Sequence, residues 1–103
     1  MKRPRLRERD VQGQILDWLA LHRIFHRRKN TGAMKKGKHY VKFGTPGDPD
    51  IEVCYKGRFV AIEVKREGEK QTQEQAIYQS DLEAAGGKYV LAYSLEDVME
   101  ALG

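Results

Sequence analysis

Two strand-like runs separated by only two residues, Ile51 to Tyr55 and Arg58 to Lys65, leave this chain few ways to fold. Both are dense in Val, Ile and aromatic residues, and Lys56-Gly57 between them suits a two-residue hairpin turn. Pairing Tyr55 with Arg58 sets Val53 against Val60, Ile51 against Ile62 and Asp50 against Glu63. Side chains alternate across a strand, so Ile51, Val53, Val60, Ile62 and Val64 share the core face. Asp50, Glu52, Glu63 and Lys65 share the other. A glycine bulge at Gly57 would shift the pairing by one residue and move Asp50 away from Glu63.

Directly opposed residues hold their Cβ atoms about 4.5–5.5 Å apart. Two carboxylates at that spacing repel unless a cation lies between them, and Lys65 alone meets that need only in part. Hard divalent cations prefer oxygen ligands and keep several waters. Asp50 and Glu63, with a main-chain carbonyl from the Glu63–Lys65 strand, leave room for water and a phosphate oxygen. Such an ion polarises the phosphate and acidifies its water, and Lys65 is placed to orient that water or stabilise developing charge. A lone E-x-K on a strand describes an ordinary solvated ion pair. Pro49-Asp50 at the matching register sets this one apart.

The remaining chain reads as a single domain over residues 1–103. Val11, Ile15, Trp18, Leu19 and His22 recur at helical spacing within residues 8–22. Ile24 to Lys29 reads as a strand running into a turn at Asn30-Thr31-Gly32. Residues 32–48, rich in Gly, Lys and Pro, read as a long, mobile loop. A second helix over 71–85 stops at Gly86-Gly87, a strand follows from Lys88 to Tyr93, and Ser94 caps a short last helix through Leu102. The expected fold is α/β, in the order α-β-β-β-α-β-α.

Charge is distributed unevenly. Residues 1–49 carry 13 Lys and Arg against 4 Asp and Glu, whereas residues 50–103 carry 6 against 11. A basic half points to a polyanion. Arg27, Arg28, Lys29, Lys35, Lys36, Lys38 and Lys42 lie just before the carboxylate strand, and suit salt-sensitive phosphate contacts without base readout. Tyr40 and Phe43, interleaved with lysines, would either stack at a branch point or pack the loop down. No apolar run is long enough to cross a bilayer, and the charged first residues lack the apolar stretch of a secretory signal. With a single cysteine, Cys54, a cytoplasmic setting is expected. Cys54 reads as a small packed residue, and Ile77, Tyr78, Tyr89 and Val98 as core. The histidines His22, His26 and His39 show no zinc spacing with Cys54.

The spaced Asp50…Glu63-Val64-Lys65 resembles the PD-(D/E)xK nuclease superfamily, and most closely its virus-type replication-repair nuclease (VRR-Nuc) domains. The likeness extends to Glu8 in ERDVQGQILDWL, RRKNTG, Gly47-Asp48-Pro49-Asp50, I-E-V-K, T-x-E-Q with Gln75, and Ala-Gly-Gly before a strand. The resemblance implies a restriction-endonuclease-like core, a mixed β-sheet flanked by helices. It implies Mg²⁺, with Mn²⁺ as a substitute, held by Asp50, Glu63 and the Val64 main-chain carbonyl. Lys65 would serve the water, Gln75 would position Lys65 or the phosphate, and Glu8 would reach the site through a water or a second metal. It further implies a standalone, homodimeric, phage-encoded endonuclease that resolves four-way (Holliday) junctions in a bacterial host. The alternatives are a non-catalytic nucleic-acid-binding module, or a nuclease acting on flaps or linear duplex DNA.

Overall fold

The computed structural model describes residues 6–29 and 32–103, with the backbone alone for 32–35 and 40–43. Helix α1 (Glu8–Leu21) leads into strand β1 (Phe25–Arg28), then β2 (Gly32–Lys36), β3 (His39–Phe43), β4 (Ile51–Tyr55) and β5 (Arg58–Val64). Helix α2 (Gln73–Ala84), strand β6 (Lys88–Ala92) and helix α3 (Leu95–Leu102) complete the chain. Strands β1, β4, β5 and β6 lie side by side in that order. The first three are mutually antiparallel, and β6 runs parallel to β5. The main sheet is therefore mixed, and its elements follow the expected α-β-β-β-α-β-α order.

The β4–β5 hairpin has the predicted register: Tyr55 pairs with Arg58, Val53 with Val60 and Ile51 with Ile62. Its turn residues Lys56 and Gly57 have φ of +50° and +78°. Two left-handed residues give the turn the twist that matches flanking strands, so no bulge shifts the pairing. On the core face Ile51, Val53, Val60, Ile62 and Val64 pack with Val90 and Ala92 against Val11, Ile15 and Leu19 of α1 and Val98 and Leu102 of α3. Trp18 borders this core and stacks on His22 at the helix edge, their ring centroids 4.6 Å apart.

Helix α2 covers the other face along β6, where Tyr78 meets Tyr89 at 6.1 Å between ring centroids. It buries no residue completely, so its start depends on local chemistry. The Thr72 hydroxyl accepts from the Gln75 backbone N–H at 3.2 Å, and the Gln75 side-chain Oε1 accepts from the Thr72 N–H at 2.9 Å. This reciprocal capping box satisfies two otherwise unpaired donors. Ser94 is extended and makes no side-chain cap; Asp97 serves instead, accepting from the Tyr93 N–H at 2.8 Å.

Residues 32–48 correct the loop expectation. Their first part forms an antiparallel pair, β2 with β3, from Gly32↔Phe43 to Lys36↔His39. Gly37, at φ +64°, opens the two-residue turn. The many lysines and glycines disguised a hairpin whose second half carries Tyr, Val and Phe, all good strand formers. Cys54 and Ile77 are also corrected: both are exposed, Cys54 on a strand that α2 does not cover and Ile77 on α2 itself. Tyr89 and Val98 are buried as expected, and Tyr78 is half-buried.

Candidate active site

Asp50 is presented by a tight turn held from three sides. The Asp48 N–H donates to the Thr45 carbonyl and its Oδ2 accepts from the Thr45 N–H, both at 3.0 Å. Gly47 has φ +92°, and a Cβ there would lie 2.5 Å from the Glu74 main-chain oxygen. Only glycine lets the turn fit against the start of α2. The Lys29 N–H donates to the Asp50 carbonyl at 2.8 Å. Gly47→Ala is expected to lower stability by about 1–3 kcal/mol, read from urea unfolding, since it adds both strain and overlap.

The β4–β5 ladder closes at Ile51↔Ile62, leaving Asp50 one step beyond it. Its Oδ2 accepts from the Val64 N–H at 2.7 Å, which ties the turn to the end of β5. Glu63 and Lys65 are both nearly enclosed, at 5% and 8% exposure. The Glu63 carboxyl lies within hydrogen-bonding reach of Asp50. Burial, then the Asp50 charge and that hydrogen bond, push Glu63 up to about 8, with Lys65 opposing the rise. The structure thus brings Asp50, Glu63 and Lys65 together, and Glu63 holds its proton near neutrality.

These residues fit a divalent cation. Once Glu63 ionises, it and the half-buried Asp50 carry more negative charge than Lys65 balances, and a cation beside the acids would relieve it. Among the described residues no three Asp, Glu, His or Cys side chains converge on one point. Two carboxylates with a carbonyl and waters match the habits of Mg²⁺.

Glu8 stands over the site. With Arg9 and Gln12 of α1, it lines a cleft of about 220 Å³ whose other lining residues are Arg28, Lys29, Asp50 and Val64. Burial, then a shared hydrogen bond with Glu69, raise the Glu8 carboxyl above its usual range, while Lys65 pulls it down. Glu69 is shifted the opposite way by the same bond, and accepts from the Arg66 N–H at 3.0 Å. Sequence reasoning missed Glu69, which reaches the site only through the turn after β5. It also missed Arg9 and Gln12, although Gln12 follows Glu8 by one helical turn and so shares its face.

The other predicted residues divide. The side-chain oxygen of Gln75 is occupied in the capping box, leaving its amide nitrogen for any further partner. The Lys29 ammonium is engaged 3.1 Å from Glu52 and 3.6 Å from Asp48. The Arg27 guanidinium donates to the His26 carbonyl and lies over Phe25, beside Cys54 and Phe59. Arg28 lines the cleft. Lys36 and Lys38 are exposed on the β2–β3 hairpin. The side chains of Lys35, Lys42, Tyr40 and Phe43, and the turn residues Asn30 and Thr31, lie outside the described residues.

Glu63 sets a pH dependence. Its folded value of about 8 stands above the ordinary 4.5, so the folded state binds the proton more tightly than the unfolded state. Its contribution to stability is full below the ordinary value and is lost as pH rises through the folded value. The melting temperature of metal-free protein is therefore expected to fall from about pH 5 to about pH 8. Added Mg²⁺ should restore more stability at the upper end, where the ion no longer displaces a proton.

No known protein family matches the chain, and no curated protein does.

Proposed function

We propose that this chain is a divalent-cation-dependent endonuclease that hydrolyses DNA phosphodiester bonds, of the VRR-Nuc type that its motifs resemble. The observation that supports this most is the buried Glu63 against the half-buried Asp50, beside the buried Lys65, with Asp50 lining a cleft that Arg9 and Arg28 also line. A small domain gains no stability from burying one carboxyl against another. Such a pair makes sense where a cation and a phosphate meet.

Asp50, Glu63 and the Val64 carbonyl would hold a divalent ion, which would supply neutralisation of phosphate charge and a more acidic water. Asp50 stays aligned because its second task, accepting from Val64, fixes its rotamer. Glu63 would release its proton to solvent when the ion binds. Lys65, enclosed behind the pair, orients the attacking water and stabilises charge gathering on the phosphate oxygens. Glu8, from α1, limits how the substrate strand enters.

The substrate is DNA, and branched DNA in particular: we read the protein as a homodimer that resolves four-way junctions. Two sites related by a two-fold axis suit symmetric cuts in a four-armed substrate. The test is a cleavage panel of labelled four-way junction, flap, single strand and linear duplex with Mg²⁺, Mn²⁺ or EDTA, alongside the mass in solution. Metal-dependent junction cutting by a dimer is expected. Preferential cutting of linear duplex at one site would overturn the junction reading. Binding without cutting in either metal would favour a non-catalytic module.

A further inference from the structure

The cleft beside Asp50 holds three cationic side chains in different states. Lys29 is spent: its ammonium bridges Glu52 at 3.1 Å and Asp48 at 3.6 Å, the two acids that flank Asp50 in sequence. Both partners raise the Lys29 ammonium above its usual range, Glu52 most. Its backbone N–H also holds the Asp50 carbonyl. Lys29 therefore grips the Asp50 turn at three points. Arg9 and Arg28 are different: among the described residues neither forms an ion pair, and both are exposed along the cleft.

Position adds to this contrast. Arg28 pairs with Ile51 across β1 and β4, so its Cα is held one residue from Asp50. Arg9 and Gln12 line the same cleft from α1. A guanidinium presents a planar fork that matches two phosphate oxygens, and a glutamine amide adds a neutral donor. Two forks without an ion pair among the described residues, and an amide in the same cleft, form a set of donors, while Asp50, one of the two acids there, belongs to the proposed reacting centre.

We propose that Arg9, Gln12 and Arg28 form a seat for the phosphodiester adjacent to the one cut at Asp50, and that Lys29 is a positioning residue which does not touch the substrate. The proposal rests on the nuclease reading for its ligand, a nucleic-acid backbone. It goes beyond that reading by separating the cations that bind from the one that aligns. It also reverses the expectation, based on sequence, that Lys29 acts with its basic neighbours on phosphate.

Salt dependence distinguishes the two roles. Binding of a fluorescent four-way junction is measured in EDTA, where nothing is cut, across a NaCl series. Removing one cation that touches a phosphate reduces the slope of log affinity against log salt by roughly 0.7–0.9. Arg9→Gln and Arg28→Gln are each expected to show that reduction, and in Mg²⁺ to raise KM with little change in kcat. Lys29→Met is expected to keep the wild-type slope and KM while kcat falls at least about tenfold, the sensitivity expected of catalytic geometry. Lys29→Arg should recover most of that loss. Glu52→Gln removes the same ion pair from its other end and should reproduce the kcat loss even if Lys29→Met folds poorly.

Unchanged slopes in both arginine variants would overturn the seat. A reduced slope in Lys29→Met, or an unaltered kcat in both Lys29→Met and Glu52→Gln, would overturn the positioning role. A wild type that binds but never cuts removes the nuclease reading and the alignment role with it, while the slopes still decide the seat.

Discussion

Glu63→Gln is expected to yield a folded, DNA-binding protein that no longer cuts in Mg²⁺ and whose metal-free form is more stable than the wild type at pH 8. The two effects share one cause. The Glu63 carboxyl is enclosed and faces Asp50, so ionising it costs free energy that only a cation returns. A glutamine amide at that position is neutral and donates to Asp50 where the shared proton now sits. The metal-free gain should be about 1–3 kcal/mol at pH 8, read from urea unfolding, and should fade toward pH 5. Loss of one carboxylate ligand should reduce the cleavage rate by about 10²-fold or more. A stabilised but inactive variant separates a site held at the expense of stability from one that merely packs.

Lys65→Ala should abolish most cleavage with junction binding close to wild type. Lys65 is 8% exposed, and its backbone N–H is fixed to the Ala92 carbonyl at 2.9 Å, so the strand keeps its course without the side chain. What disappears is the ammonium that faces Glu63 and Glu8. Removing one preorganised charge-stabilising group from a reacting centre typically lowers the rate about 10²–10³-fold. Because Lys65 also opposes the rise at Glu63, its loss should move the pH at which Mg²⁺ loads further upward. Single-turnover kinetics over a pH series measures both. Cleavage by Lys65→Ala at the wild-type rate would remove this lysine from the site.

The β4–β5 hairpin was legible because three constraints agreed: apolar alternation, a two-residue turn ending in glycine, and acids at matching ends. Register then carried Asp50 to Glu63 without any knowledge of the rest of the sheet. The β2–β3 hairpin was hidden because its lysines and glycines read as loop composition, while its pairing depends on a left-handed Gly37. Cys54 was misplaced because its surroundings depend on how much of the sheet α2 covers, and Ile77 because the sequence does not say which side of α2 faces the sheet; both are tertiary matters. Glu69, Arg9 and Gln12 escaped notice because each reaches the site from an element remote in sequence from the carboxylate hairpin or from the turn beyond it. Lys29 looked like its basic neighbours, and only the folded position of Glu52 and Asp48 distinguishes it.

A single metal-dependent cutting site built from Asp50, Glu63 and Lys65 would lose its activity with the ion or with Glu63. The most direct measurement is single-turnover cleavage of an end-labelled four-way junction by wild type and Glu63→Gln, each in Mg²⁺ and in EDTA, with binding followed in parallel. Cutting by the wild type in Mg²⁺ alone, with both proteins bound to the junction, is the expected result. Equal cutting by Glu63→Gln, or cutting by the wild type in EDTA, would contradict the account.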